Sequence, residues 1–145
     1  FLGLAFGWGI PMAFAAQTGT VPNLAWTLMS SAVVWALIYD TQYAMVDRED
    51  DKFIGVKSTA ILFDDADRQF VGGFQILMLI GLVLIGHEAK LGLVYFYALI
   101  LCASMAVYQQ VLIHDRTPGK CFKAFMNNNW YGAVVFLGIA GSYAS

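Results

Sequence analysis

The chain has 145 residues, 59% hydrophobic and 12% charged, with mean hydropathy +0.65, formal net charge −2 and pI about 5.5. That composition excludes an ordinary soluble domain and reads as an integral membrane protein, an all-α polytopic bundle with the lipid bilayer as its first partner. It offers no basic face of the kind that would draw nucleic acid.

Five apolar segments follow in chain order, each long enough to approach or cross a hydrocarbon core of about 30 Å, which takes roughly 20 helical residues. The first, about 1–17, begins at Phe1 inside an apolar run. No charged region precedes it, so it is not a cleavable signal, and the chain reads as part of a longer one. Gln17 to Pro22 break it from the second, 24–46. A charged stretch from Asp47 to Arg68 leads to the third, 69–86. A turn from Gly86 to Lys90 leads to the fourth, 91–113, and His114 to Lys120, with Pro118 and Gly119, separates that from the fifth, 123–143. No internal repeat or low-complexity linker interrupts this order, and the whole is expected to be one domain, 1–145.

Orientation follows from the basic residues, because positively charged loops stay in the cytoplasm. Arg48, Lys52, Lys57, Arg68, Arg116, Lys120 and Lys123 fall on one side of this arrangement and only Lys90 on the other, so seven of the eight place the 47–68 loop inside. Trp26, Trp130, Tyr95 and Tyr143 near segment ends suit either an interfacial aromatic belt or a plain core. Gly3 and Gly7, and Gly138 with Gly141, are spaced for close helix approach. Cys102, in an apolar run, and Cys121, in what reads as a polar turn, are expected to be free thiols.

The acidic run closing the second segment, YDTQYAMVDREDD, is the chemical centre of the sequence. On a continuous helix Asp40, Tyr43, Asp47 and Asp51 share one face, with Asp40 roughly 10 Å deeper than Asp47. Like charges in such a stripe repel, and carboxylates at the end of an apolar span call for a cation. Hard oxygen donors favour Mg²⁺ or Ca²⁺ over zinc, and a few fixed carboxylates suit Mg²⁺, which keeps waters and shares substrate phosphates. A calcium EF-hand is excluded, since Lys52 stands where its glycine belongs and Ser58 at its twelfth position. Glu49, Asp50, Asp64, Asp65 and Asp67 are sufficiently explained as a solvated acidic loop; Asp40 is not.

Gly55-Val56-Lys57-Ser58-Thr59 is no Walker loop, because Val56 precedes the lysine, yet Lys57 can grip a phosphate oxygen as a point charge or simply mark topology. Asn127, Asn128 and Asn129 cannot share one helical face, so at most one or two can line a cavity. His87 and His114 sit at opposite ends of the bundle and form no ligand pair.

These residues carry a resemblance. Asp40-x-x-Tyr43-Ala44-x-x-Asp47-x-x-x-Asp51, followed by Gly55-x-Lys57-Ser58-Thr59 and later by CFKAFMNNN, resembles the second aspartate-rich motif of the UbiA superfamily of intramembrane prenyltransferases, and is most similar to its bacterial branch acting on 4-hydroxybenzoate. The resemblance covers the whole chain as the C-terminal half of such an enzyme. It implies a bundle of nine spans, about five of them here, with the first aspartate motif on an earlier helix, so this half alone is expected to be inactive. It further implies Mg²⁺ held by Asp47 and Asp51, a polyprenyl diphosphate donor, 4-hydroxybenzoate as acceptor in ubiquinone biosynthesis, and a bacterial inner-membrane location. Asp40, Asp47 and Asp51 become the catalytic candidates, with Asp40 supporting the site or taking a proton; Tyr43, Lys57 and Asn128 become substrate contacts. Two rivals remain: a relative with another acceptor, and a non-catalytic binding or transport module. A transporter would carry ionisable residues at mid-membrane in several spans, whereas here Asp40 alone lies that deep.

Overall fold

The computed structural model describes residues 2–48 and 66–144, all helix and turn. Six helices follow in order: α1 (Leu2–Gly7), α2 (Gly9–Thr18), α3 (Asn23–Ala44), α4 (Asp67–Glu88), α5 (Leu93–Leu112) and α6 (Pro118–Ala144). α3, α4 and α5 are each long and apolar enough to cross a membrane. α6 has 27 residues, and Lys120, Lys123 and Asn127 to Asn129 dilute its first half.

The first apolar segment is broken in two. Proline lacks an N–H and its ring crowds the carbonyl four residues back, which here is that of Gly7, so the helix parts at Trp8, three residues before Pro11. The helix of the fifth apolar segment, α6, starts at Pro118, earlier than the hydropathy suggests. Proline is pre-organised for a helix's first turn, where no N–H is needed. Cys121, expected in a turn, is therefore inside a helix; it and Cys102 are buried free thiols.

α4 buries Val71, Gln75, Met78, Leu82 and Ile85, and α5 buries Tyr95, Leu99, Cys102, Ala106 and Gln109, both with alternating steps of four and three. That period keeps one seam toward a neighbouring helix along the full length. The opposite face of α5 shows Leu93, Ile100, Val107 and Val111, each more than 60% exposed, a stripe suited to lipid. α3 is the central element, packed by α1, α2, α4 and α6. Gly3 and Gly7 let α1 lie close on it: a Cβ at Gly7 would stand 3.3 Å from the Met29 Cγ.

Successive long helices run up and down. At one end Arg48, just past α3, and Arg116, between α5 and α6, both reach Asp67 at the start of α4. At the other, Thr27 meets Glu88 at 3.4 Å, and Ser142 Oγ accepts from the Gly92 N–H at 2.6 Å. The alternation expected from hydropathy is present, and Arg48, Asp67 and the 113–117 turn share one end. Of the four belt candidates, Trp26, Trp130 and Tyr143 are exposed, but Tyr95 is a core residue whose hydroxyl donates to the Leu82 carbonyl at 2.8 Å.

Candidate active site at the loop end of the bundle

Asp40 and Tyr43 lie in the last two turns of α3, but the helix stops at Ala44. Its final amides bond in mixed register, Met45 to Thr41 and Val46 to Tyr43, and Asp47 falls on the bend beyond. The continuous stripe through Asp47 is thus replaced by a helical part, Asp40 and Tyr43, and a part set by the bend. Asp51 and Lys57 lie outside the described residues. Among those described, neither the Asp40 nor the Asp47 carboxylate has a hydrogen-bond or ion-pair partner.

Asp40 lines a cleft of 240 Å³ between α1 and α3 with Gly3, Ala5, Phe6, Ala36 and Tyr39. Beside it a 390 Å³ cleft is walled by Phe6, Ala32, Trp35, Tyr39, Phe125, Asn128 and Asn129. Phe6 and Tyr39 belong to both, so Asp40 and Asn128 flank one largely apolar surface. Tyr43 stands at its edge, about half exposed, with its ring 5.2 Å from that of Phe125.

Asn128 is also part of a buried amide network joining all four long helices. Its Nδ2 donates to Gln42 Oε1 at 2.7 Å, and its Oδ1 accepts from Trp35 Nε1 at 3.1 Å. Gln109 Oε1 accepts from both Gln42 and Gln75 at 2.9 Å, while Gln109 Nε2 donates to Asn127 at 3.0 Å. Gln110 closes the chain on Gln75 at 2.9 Å. Of the three asparagines, Asn127 and Asn128 turn inward and Asn129 is exposed, as expected for amides that cannot share a face.

Below the clefts sits an ionic hub. Asp67, fully buried, receives Arg116 Nε at 3.0 Å and Nη2 at 2.8 Å, its own neighbour's amide, Arg68 N–H, at 2.6 Å, and Arg48 Nη1 at 3.6 Å. Reading Asp67 as a solvated loop acid is therefore wrong. Its carboxylate accepts from one amide in the first turn of α4, Arg68 N–H, and anchors two guanidiniums. Arg116 adopts φ of 52°, a left-handed conformation that a non-glycine residue takes at a cost of order 1 kcal/mol. Nearby, Asp115 is held down at about 2 by the hydrogen bond from Lys120, with that from His114 adding to it.

Residues 1–137 match the UbiA prenyltransferase family. The chain belongs to that family. It is 58% identical over 143 residues to a 4-hydroxybenzoate octaprenyltransferase of Methylococcus capsulatus, covering 99% of this chain and 49% of the relative. Proteins of the same name from Hahella chejuensis and Alkalilimnicola ehrlichii are 58% and 57% identical, over 95% of this chain and 46% and 47% of theirs. The chain thus spans about half the length of the curated relatives it matches. No solved structure matches it.

For a UbiA-family chain the donor chemistry at the loop end fits a hard divalent cation in kind: carboxylates without protein partners, of which the described residues supply Asp40 and Asp47. Among the described residues no group of three or more acidic, histidine or cysteine side chains gathers to hold a metal. The structure brings Asp40, Tyr43 and Asn128 around one surface; Asp47 lies on the bend just past α3. What the residue-by-residue reading missed is Gln42, Gln75, Gln109 and the Asp67 hub. Glutamines recurring inside apolar segments were the available signal for the first; the second joins residues 49 apart in sequence, and no local pattern pairs them.

Proposed function

We propose that the intact protein transfers a polyprenyl group from polyprenyl diphosphate to the ring carbon ortho to the hydroxyl of 4-hydroxybenzoate, a step of ubiquinone biosynthesis, as a multi-pass protein of the bacterial inner membrane. The observation that carries this is a pair of carboxylates without hydrogen-bond or ion-pair partners among the described residues, Asp40 in an apolar cleft and Asp47 on the bend that follows α3, in a chain 58% identical to relatives of that name. Arg48, Arg68, Arg116, Lys120 and Lys123 gather at the loop end, which supports a cytoplasmic face there.

In this reading Asp47 and Asp51 hold Mg²⁺, which when bound neutralises charge on the departing diphosphate. Lys57 and Tyr43 contact the diphosphate or the acceptor, and the Asn128 edge of the larger cleft orients the ring. Phe6, Tyr39 and Phe125 keep water from the allylic cation left when the carbon–oxygen bond breaks. A carbon–carbon bond then forms to the ring, and Asp40 accepts the ring proton that must leave to restore aromaticity.

The test is Asp47→Ala and Asp51→Ala in the full-length protein, assayed with 4-hydroxybenzoate and a panel of other aromatic acids. Loss of Mg²⁺-dependent transfer, by about 100-fold or more, with membrane insertion intact supports the assignment. Retained turnover rejects it, and product from another acid but none from 4-hydroxybenzoate assigns the chemistry to a different acceptor. Counterion-dependent flux in vesicles without any transfer would instead support a transport module.

A further inference from the structure

We infer that Asp67 is a positioning residue for Asp47: it ties Arg48, the residue next to Asp47, to Arg116 on the α5–α6 turn, and so fixes the Asp47 backbone relative to α5 and α6. The inference rests on the function proposed above, and it adds to it a residue that touches neither metal nor substrate.

Removing a carboxylate and its guanidinium partners from water is expensive, and a buried ion pair is often no more stabilising than well-packed apolar side chains of the same volume. What such a pair supplies is direction, because a planar guanidinium meets a carboxylate in few geometries. Here Arg116 meets Asp67 through two nitrogens, at 2.8 and 3.0 Å, from a backbone held at φ 52°. Arg48 approaches the other carboxylate oxygen at 3.6 Å with its own side chain only 10% exposed.

Three chain segments that hydropathy leaves separate are thereby pinned at one point: the end of α3, the start of α4, and the α5–α6 turn. α3 gains from such a tether, since its last i→i−4 bond is from Met45 N–H to the Thr41 carbonyl and Asp47 lies on a bend beyond it. Asp47 itself has no partner among the described residues, so its placement depends on its neighbours. A metal-binding carboxylate set loosely by its support loses affinity typically by about 10- to 100-fold.

The experiment uses the full-length protein in detergent, with inorganic pyrophosphate and Mg²⁺ as probe and thermal stabilisation as readout. Asp67→Asn keeps the shape and removes the charge; Asp67→Glu keeps the charge; Arg116→Gln breaks the hub from its other side. Expected is a rise of about tenfold or more in the Mg²⁺ concentration for half-maximal stabilisation in Asp67→Asn and Arg116→Gln, partly restored in Asp67→Glu. In transfer assays, excess Mg²⁺ should recover most of kcat. Unchanged half-saturation in whichever of the two folds overturns the inference, as does failure of both to fold, which would make the hub purely structural. Wild-type protein that neither responds to the probe nor transfers a prenyl group overturns the proposed function, and this inference with it; a wild-type response with unshifted variants overturns the inference alone.

Discussion

The side-chain amide of Asn128 on α6 donates to the carbonyl of Gln42 on α3 at 2.7 Å, and Gln42 passes the connection to Gln109 on α5 at 2.9 Å. Gln109 is the centre of this network, accepting twice and donating once; Gln42 is one of its arms. Gln109→Leu leaves the Gln42 and Gln75 amides without their acceptor, and each orphaned buried group costs roughly 1–3 kcal/mol. Gln42→Leu leaves Asn128 its bonds to Ala124 and Phe125 and leaves Gln75 on Gln109. Thermal unfolding in detergent should therefore rank Gln109→Leu well below Gln42→Leu, by about 1 kcal/mol or more.

Gly132 is where α6 meets Trp35. A Cβ there would stand 2.6 Å from Trp35 Cη2, and the indole is not free to swing away because its Nε1 is bonded to Asn128. Gly132→Ala is expected to destabilise the protein by about 1–3 kcal/mol despite alanine's better helix propensity. The same variant, by displacing Trp35 from the wall of the 390 Å³ cleft, should raise KM for the acceptor. Unfolding and steady-state kinetics on one preparation check both.

Asp40 sits in an apolar cleft, and among the described residues its charge serves no hydrogen bond or ion pair. Asp40→Asn removes that charge at constant shape. The melting temperature should stay level or rise, while prenyl transfer falls by about 100-fold or more. A variant that loses stability and keeps turnover would show a structural acid instead.

The pH response of the α5–α6 turn has a definite sign. Asp115 is lowered to about 2 from an ordinary value of 3.8, chiefly by Lys120 and then by His114. A depressed carboxylate contributes stability above its unfolded value, and that contribution is lost as pH falls from about 4 through about 2. Both Asp115 and Lys120 are half exposed, so solvent screens the pair. Asp115→Asn should lower the melting temperature slightly at about pH 5 to 7, where the contribution is fully present, and its difference from the wild type should close as pH falls from about 4 through about 2.

The helices were legible because their signals are local: apolar runs, turn residues between them, and basic residues collected on alternate sides. Even there, Pro11 splits the first run and Pro118 starts the last helix early, effects of single rings that a hydropathy average smooths over. The acidic residues stood out as a candidate site because carboxylates beside an apolar span are costly, but the helical stripe was extended too far, since nothing in MVDRE marks the stop at Ala44. Asp67 misled for the opposite reason. Its sequence neighbours are mostly charged or polar, and the arginine that buries it arrives from 49 residues away. The glutamines were visible one by one, yet their meaning lies in partners on other helices.

Asp47 decides the account. Full-length protein and its Asp47→Asn variant, matched for membrane insertion, should be titrated with Mg²⁺ at fixed polyprenyl diphosphate and labelled 4-hydroxybenzoate. The account predicts saturable Mg²⁺-dependent product from the wild type and a loss of about 100-fold or more in the variant. Equal product from both, or product that ignores Mg²⁺, would contradict it.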